Sequence, residues 1–142
     1  MIEFFVSYEV RPKGNSKRAF VIGGFARVVG DPKSMKNAKS LEVLCAEHRP
    51  SRPLEGPLRV TYRFQFPWRK GDSRKRREPG AQPHDVRPDL GNLCKQLDDV
   101  LEAAGFFGDD AQIATYGNTE KVWTDCPGVH VRIEPLRIKS KG

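Results

Sequence analysis

Alternation of apolar and polar residues is cleanest over Leu58 to Phe66. Leu58, Val60, Tyr62, Phe64 and Phe66 share one face, and Arg59, Thr61, Arg63 and Gln65 the other. A period of two predicts a half-buried strand. Over Asp89 to Ala104 the period lengthens. Leu90, Leu93, Cys94, Leu97, Leu101 and Ala104 recur at spacings of three and four, which predicts an amphipathic helix with Asp89 as N-cap and Gly105 as its C-terminal stop. Asn92, Lys95, Asp99 and Glu102 form its polar face. A second helix is predicted from Ser34 to about His48 by Ala38, Leu41, Leu44 and Cys45; Asp31-Pro32 opens it, and Pro50 and Pro53 end it. Strands are predicted at Ile2 to Val10, Gln112 to Tyr116, Lys121 to Thr124 and Val129 to Ile133, with a short hairpin of Ala19 to Ile22 and Ala26 to Val29 around Gly23-Gly24. This order predicts an α+β fold: one domain over 1–142, with a mostly antiparallel or mixed sheet and two main helices packed on it.

Length and composition agree with one self-sufficient domain, since 142 residues need no disulfide or metal staple to fold. No apolar run approaches the roughly 18–20 residues of a membrane span, and Met1-Ile2-Glu3-Phe4-Phe5 does not open a signal peptide, so the cytoplasm is the expected location. Cys45, Cys94 and Cys126 are odd in number and far apart, which predicts free thiols. Cys45 and His48 lack the second close pair that a zinc site needs.

A net charge of +7 and a pI near 9.5 favour a polyanionic partner, above all nucleic acid. The basic turn from Arg11 to Arg18 offers Lys13, Lys17 and Arg18 to DNA. Between Trp68 and Pro88 the chain carries Arg69, Lys70, Arg74, Lys75, Arg76, Arg77 and Arg87 against only Asp72, Glu78 and Asp85. With its prolines and glycines, this stretch at about 68–88 reads as a basic mobile loop without core elements, suited to phosphate contact; the competing reading is a solvated linker. His84 within it is expected to be solvated. Trp68 and Trp123 are candidates for stacking on unpaired bases, against a plain core or hinge role. A basic tail follows at about 137–142. No serine is framed as a nucleophile elbow, and Gly23-Gly24 precedes no Lys-Ser/Thr of a nucleotide loop.

The chemistry concentrates in Asp89, Asp98, Asp99, Glu102, Asp109 and Asp110, an acidic island directly after the basic stretch. Carboxylates amid a DNA-binding surface repel phosphate unless a divalent cation neutralises them. The alternative assigns them to a cap, a solvated helix face and a turn. Arg87-Pro88-Asp89-Leu90-Gly91-Asn92-Leu93-Cys94-Lys95 resembles the RusA family pattern Asp-x-Asp-Asn-Leu-x-x-Lys at a helix start. Asp99, Gly105-Phe106-Phe107 and Asp109-Asp110-Ala111-Gln112 then follow in the family's order.

The resemblance implies a homodimeric resolvase of four-way (Holliday) DNA junctions, bacterial or phage-encoded, that acts in recombination and repair with Mg2+ or Mn2+. It makes Asp89, Lys95 and Asp110 the catalytic residues and Asp89 and Asp110 the metal ligands, with Asn92 and Asp109 as additional candidates. The chain departs from the pattern at Gly91, where the family has its second Asp. Three readings stay open: a site that works with fewer carboxylates, a compensating ligand, or a non-catalytic protein that binds branched or single-stranded DNA. Asn92 is the nearest substitute. Asp99 lies ten helical positions from Asp89, roughly 15 Å along the axis, too far to share an ion with it.

Overall fold

The strand with the cleanest alternation is the axis of the fold. Strand β4 (Leu58–Pro67) buries Leu58, Val60, Tyr62, Phe64 and Phe66 and leaves the residues between them partly exposed. It lies inside a mixed sheet with β1 (Ile2–Val6), β5 (Ala81–Pro83), β6 (Ile113–Tyr116), β7 (Glu120–Thr124) and β8 (Gly128–Pro135), in the order β1-β8-β4-β7-β5. β8 runs antiparallel to both β1 and β4. On its other edge β4 is shared: its first residues pair in parallel with β6, and Arg63 to Pro67 pair in parallel with β7. The step from β6 to β7 is clamped onto β4. Gly117 N donates to Val60 O at 2.8 Å, Tyr62 N donates to Thr119 Oγ1 at 3.2 Å, and a Cβ on Gly117 would overlap the Thr61 side chain.

A computed structural model describes residues 1–8 and 40–137 in full and the backbone of 17–22 and 25–30. Strands β2 (Lys17–Ile22) and β3 (Phe25–Gly30) form the expected hairpin as a separate two-stranded sheet. Helix α1 is described over 40–46 and buries Leu41 and Cys45. The first strand ends at Val6, short of the predicted Val10, since Ser7 and Tyr8 are described and lie outside it. The predicted beginning of α1, the turn bearing Lys13 and most of the basic tail lie outside the described residues.

Helix α3 (Leu90–Ala104) starts and stops as its sequence predicts. The Asp89 side chain accepts from Asn92 N, and Gly105 caps the far end at φ +92°, the left-handed region that favours glycine. Leu93, Leu97 and Leu101 are fully buried and join β1, α1, β4, β8 and Phe106-Phe107 in one core. The fold is therefore the expected α+β arrangement. One expectation fails. The stretch between β4 and α3, read as a loop, contains a one-turn helix α2 (Arg74–Arg77) and the edge strand β5, which pairs antiparallel with β7.

Candidate active site and the basic segment that leads into it

Lys95 lies in the second turn of α3, with its ammonium 3.3 Å from Asp110 Oδ2 and 3.5 Å from Asp99 Oδ1. The hydrogen bond to Asp110, then the charges of Asp99 and Asp110, raise its pKa above the ordinary lysine value and keep it cationic. Asp110 opens the 3-10 turn Asp110–Gln112 just before β6, and its neighbours fix it tightly. Its backbone N–H donates to Glu102 Oε1 at 2.8 Å. Asp109 Oδ1 accepts from Ala111 N at 2.8 Å, while Gln112 Oε1 accepts from Gly108 N and Asp109 N. The Gln112 amide also donates to Leu54 O and Gly56 O, so one side chain ties the turn to the segment before β4.

Sequence reasoning put Glu102 on the polar face of the helix, with a merely solvated role as the competing reading. It is half-buried, and one carboxylate oxygen each from Glu102, Asp109 and Asp110 lie within 4.8 Å of one another. Its i+7 relation to Lys95 was the available signal, because that spacing puts both on one helix face.

Asp89 and Asn92 sit at the other end of the polar face. Asp89 is the exposed N-cap, with Oδ1 3.2 Å from Asn92 N. Six residues separate it from Lys95, about 9 Å of helix rise. Lys95 reaches Asp99 and Asp110 but not Asp89. The approach to Asp89 is held from β7: Lys121 Nζ donates to Val86 O, and to Pro88 O at 2.6 Å.

Asp98, one of the acidic island, is buried with only 6% of its surface exposed. Tyr62 OH donates to its Oδ1 at 2.7 Å and Tyr116 OH to its Oδ2. Burial raises the Asp98 pKa, and the two phenol hydrogen bonds oppose that shift. The trio ties α3 to β4 and to β6, the strand that follows the Asp110 turn.

One residue of the basic stretch contradicts its expected exposure, and the tryptophans take the core role that competed with base stacking. His84 is buried, stacked on Trp123 with ring centroids 3.8 Å apart and tilted on Phe66 at 4.6 Å. Burial, then the charge of Lys121, lower its pKa. Trp123 is equally enclosed, with the Arg69 guanidinium 4.6 Å from its ring centroid, so it is not open to a base. Trp68 is half-buried against the core and donates from Nε1 to Asp125 Oδ1 at 2.8 Å. The thiols are free as expected: Cys45 and Cys94 are buried, and burial pushes them up to about 12 and about 11, while Cys126 is exposed. The His48 ring stacks on Phe4. No helix among the described residues is long and apolar enough to cross a membrane.

Lys70, Arg74, Lys75 and Arg87 are exposed, and Arg76 and Arg77 are half-buried. Lys17 and Arg18 lie on β2. A family model described as Endodeoxyribonuclease RusA matches residues 9–134, a span that holds the whole arrangement from Asp89 to Gln112. No curated relative matches the chain.

Proposed function

The chain belongs to the RusA endodeoxyribonuclease family, and from that premise we propose that it resolves four-way DNA junctions by metal-dependent phosphodiester hydrolysis at Asp89, Lys95 and Asp110. The observation that carries this reading is the contact of Lys95 with Asp110, which brings a cation and a carboxylate of the family motif together from 15 residues apart. The donor set suits Mg2+ or Mn2+. Around Asp110 it consists of hard carboxylate oxygens, with neither thiolate nor imidazole among them. Asp89 and Asp110 would hold the ion, with Asn92, Asp109 and Glu102 as further oxygen donors. A bound divalent ion would make water a better nucleophile and offset the charge that gathers on the phosphoryl group.

The residues of the chain divide the remaining work. Lys95, kept protonated by its carboxylate neighbours, stabilises a non-bridging phosphate oxygen as negative charge grows on it. Glu102 and Gln112 hold the Asp110 turn at the height of Lys95 on α3. Water attacks phosphorus, the bond to the 3′ oxygen breaks, and that oxygen takes up a proton. The products are a 3′-hydroxyl and a 5′-phosphate that a ligase can rejoin. Paired nicks across a junction need two sites, so the working unit is a homodimer. DNA contact is assigned to Lys13, Lys17 and Arg18 and to the exposed cations of the stretch from Arg69 to Arg87.

Asp110→Asn should abolish nicking of a synthetic four-way junction and leave gel-shift binding in EDTA within about threefold. Cleavage that survives EDTA, or equal rates for wild type and variant, overturns the assignment.

Gly91 favours a second reading, in which the protein holds branched or single-stranded DNA without cutting it. Salt-sensitive binding to a junction with no nicking at any Mg2+ or Mn2+ concentration would establish that reading over the first.

A further inference from the structure

Resting on the DNA-cutting reading above, we propose that the stretch between β4 and α3 is a preformed phosphate-binding knuckle. In it Lys70, Arg74 and Lys75 contact the DNA backbone, while Arg69, Arg76 and Arg77 only build the frame.

The sorting follows from where each cation is engaged. Asp72 is the centre of the frame, with only 5% of its side chain exposed. Its carboxylate accepts from Arg69 N at 2.8 Å and from the Arg69 guanidinium at 3.2 and 3.4 Å. Arg76 Nε lies 3.1 Å from Asp72 Oδ1, an ion pair without the alignment of a hydrogen bond. Arg77 donates to two backbone carbonyls, Asp72 O and Arg69 O, both at 3.1 Å. Two of these arginines also lie over indoles, Arg69 over Trp123 and Arg77 over Trp68. Partial burial of Asp72 acts to raise its pKa, but the hydrogen bonds and charge of Arg69, with the charge of Arg76, hold it below the ordinary carboxylate value.

The frame is fastened to the sheet. Ser73 Oγ caps α2 by accepting from Arg76 N, Gln82 Nε2 donates to Arg76 O, and Thr124 Oγ1 of β7 donates to Gly80 O. Against this background Lys70, Arg74 and Lys75 are exposed, and their side chains have no ion-pair or hydrogen-bond partner among the described residues. Three cations on a one-turn scaffold, ordered by three others, match the charge of a phosphodiester backbone. A cation already spent on a carboxylate or a carbonyl releases few counterions when DNA arrives.

The test compares variants of equal net charge. Junction binding by wild type, Arg74→Gln, Lys75→Gln, Lys70→Gln and Arg76→Gln is measured in EDTA across a salt series, with thermal unfolding of each. Each of the first three variants should flatten the slope of log K against log salt by about 0.9 and leave the melting temperature unchanged. Arg76→Gln should leave the slope within about 0.3 and lower the melting temperature. Equal flattening by Arg74→Gln and Arg76→Gln overturns the sorting, and no flattening by any exposed variant overturns the knuckle. Failure of the wild type to bind junction DNA at low salt is a different result, which removes the parent reading itself.

Discussion

Restoring a carboxylate at position 91 tests the site most directly, because the backbone is ready for it. A Cβ built on Gly91 meets nothing closer than Asp89 Oδ1 at 4.0 Å. Position 91 is one helical turn before Lys95, which touches Asp110. An Asp there would stand between the two ends of the candidate site. Without metal the effects nearly cancel. Replacing helical Gly gains about 0.3 kcal/mol of propensity, and a negative charge in the first turn gains about 0.3–1 kcal/mol. Repulsion from Asp89 across about 4 Å of water costs about 1 kcal/mol. Gly91→Asp should therefore melt within about 3 °C of wild type in EDTA. With a divalent ion the repulsion becomes shared attraction. A tenfold gain in affinity is about 1.4 kcal/mol, so at saturating Mn2+ the ion-induced rise in melting temperature should exceed that of wild type by about 4 °C. Titration calorimetry and junction nicking would follow the same gain. Identical Mn2+ shifts and identical Mn2+ affinities in the two proteins would refute the placement of position 91 beside the ion.

Two further outcomes concern buried polar groups. Because burial lowers the His84 pKa, the unfolded chain binds more protons as pH falls below about 6.5, and stability declines through that window; His84→Phe should flatten the dependence of melting temperature on pH there, and an unchanged profile would count against burial of a neutral imidazole. Tyr62→Phe removes a 2.7 Å hydrogen bond between fully buried Tyr62 and buried Asp98 and should cost about 1.5–3 kcal/mol at pH 7. Tyr116→Phe, at a residue 46% exposed where water has better access, should cost less; urea unfolding that finds equal costs would contradict this. The Tyr62→Phe deficit should shrink as pH falls through the raised pKa of Asp98, since a protonated carboxyl no longer needs two donors.

Helix α3 was legible in the sequence because all that defines it is local: the Asp89 cap, the apolar stripe and Gly105 at positive φ. β4 was legible for the same reason, its alternation surviving intact as burial. Lys95 and Asp110 were legible as family motif positions. What escaped depends on partners distant in the chain. α2 and β5 contain almost nothing apolar, and are held by Asp72, by Gln82 and by pairing with β7 some 40 residues on. Asp98 reads as one more acid until tyrosines 36 residues before it and 18 after it close around its carboxylate. His84 looked solvated because it lies in a stretch dominated by charge and proline, whereas its neighbours in space are Phe66 and Trp123. Glu102 was missed because its partner is a backbone N–H, which no side-chain pattern announces.

The edge of β4 that serves two strands works like a calliper. Asp110 hangs from the jaw that continues into β6, and the approach to Asp89 from the jaw braced by Lys121 on β7. The gap between the jaws is a length of backbone, set by the three-residue step at Gly117 to Thr119 and the few residues of β4 beneath it. A one-residue shift of either strand along β4 would move its jaw by about 3.3 Å and turn its side chains to the opposite face. Substitutions can alter the grip of such a tool, but only an insertion or deletion changes its opening, and the Gly117 clamp on Thr61 is the screw that locks the setting.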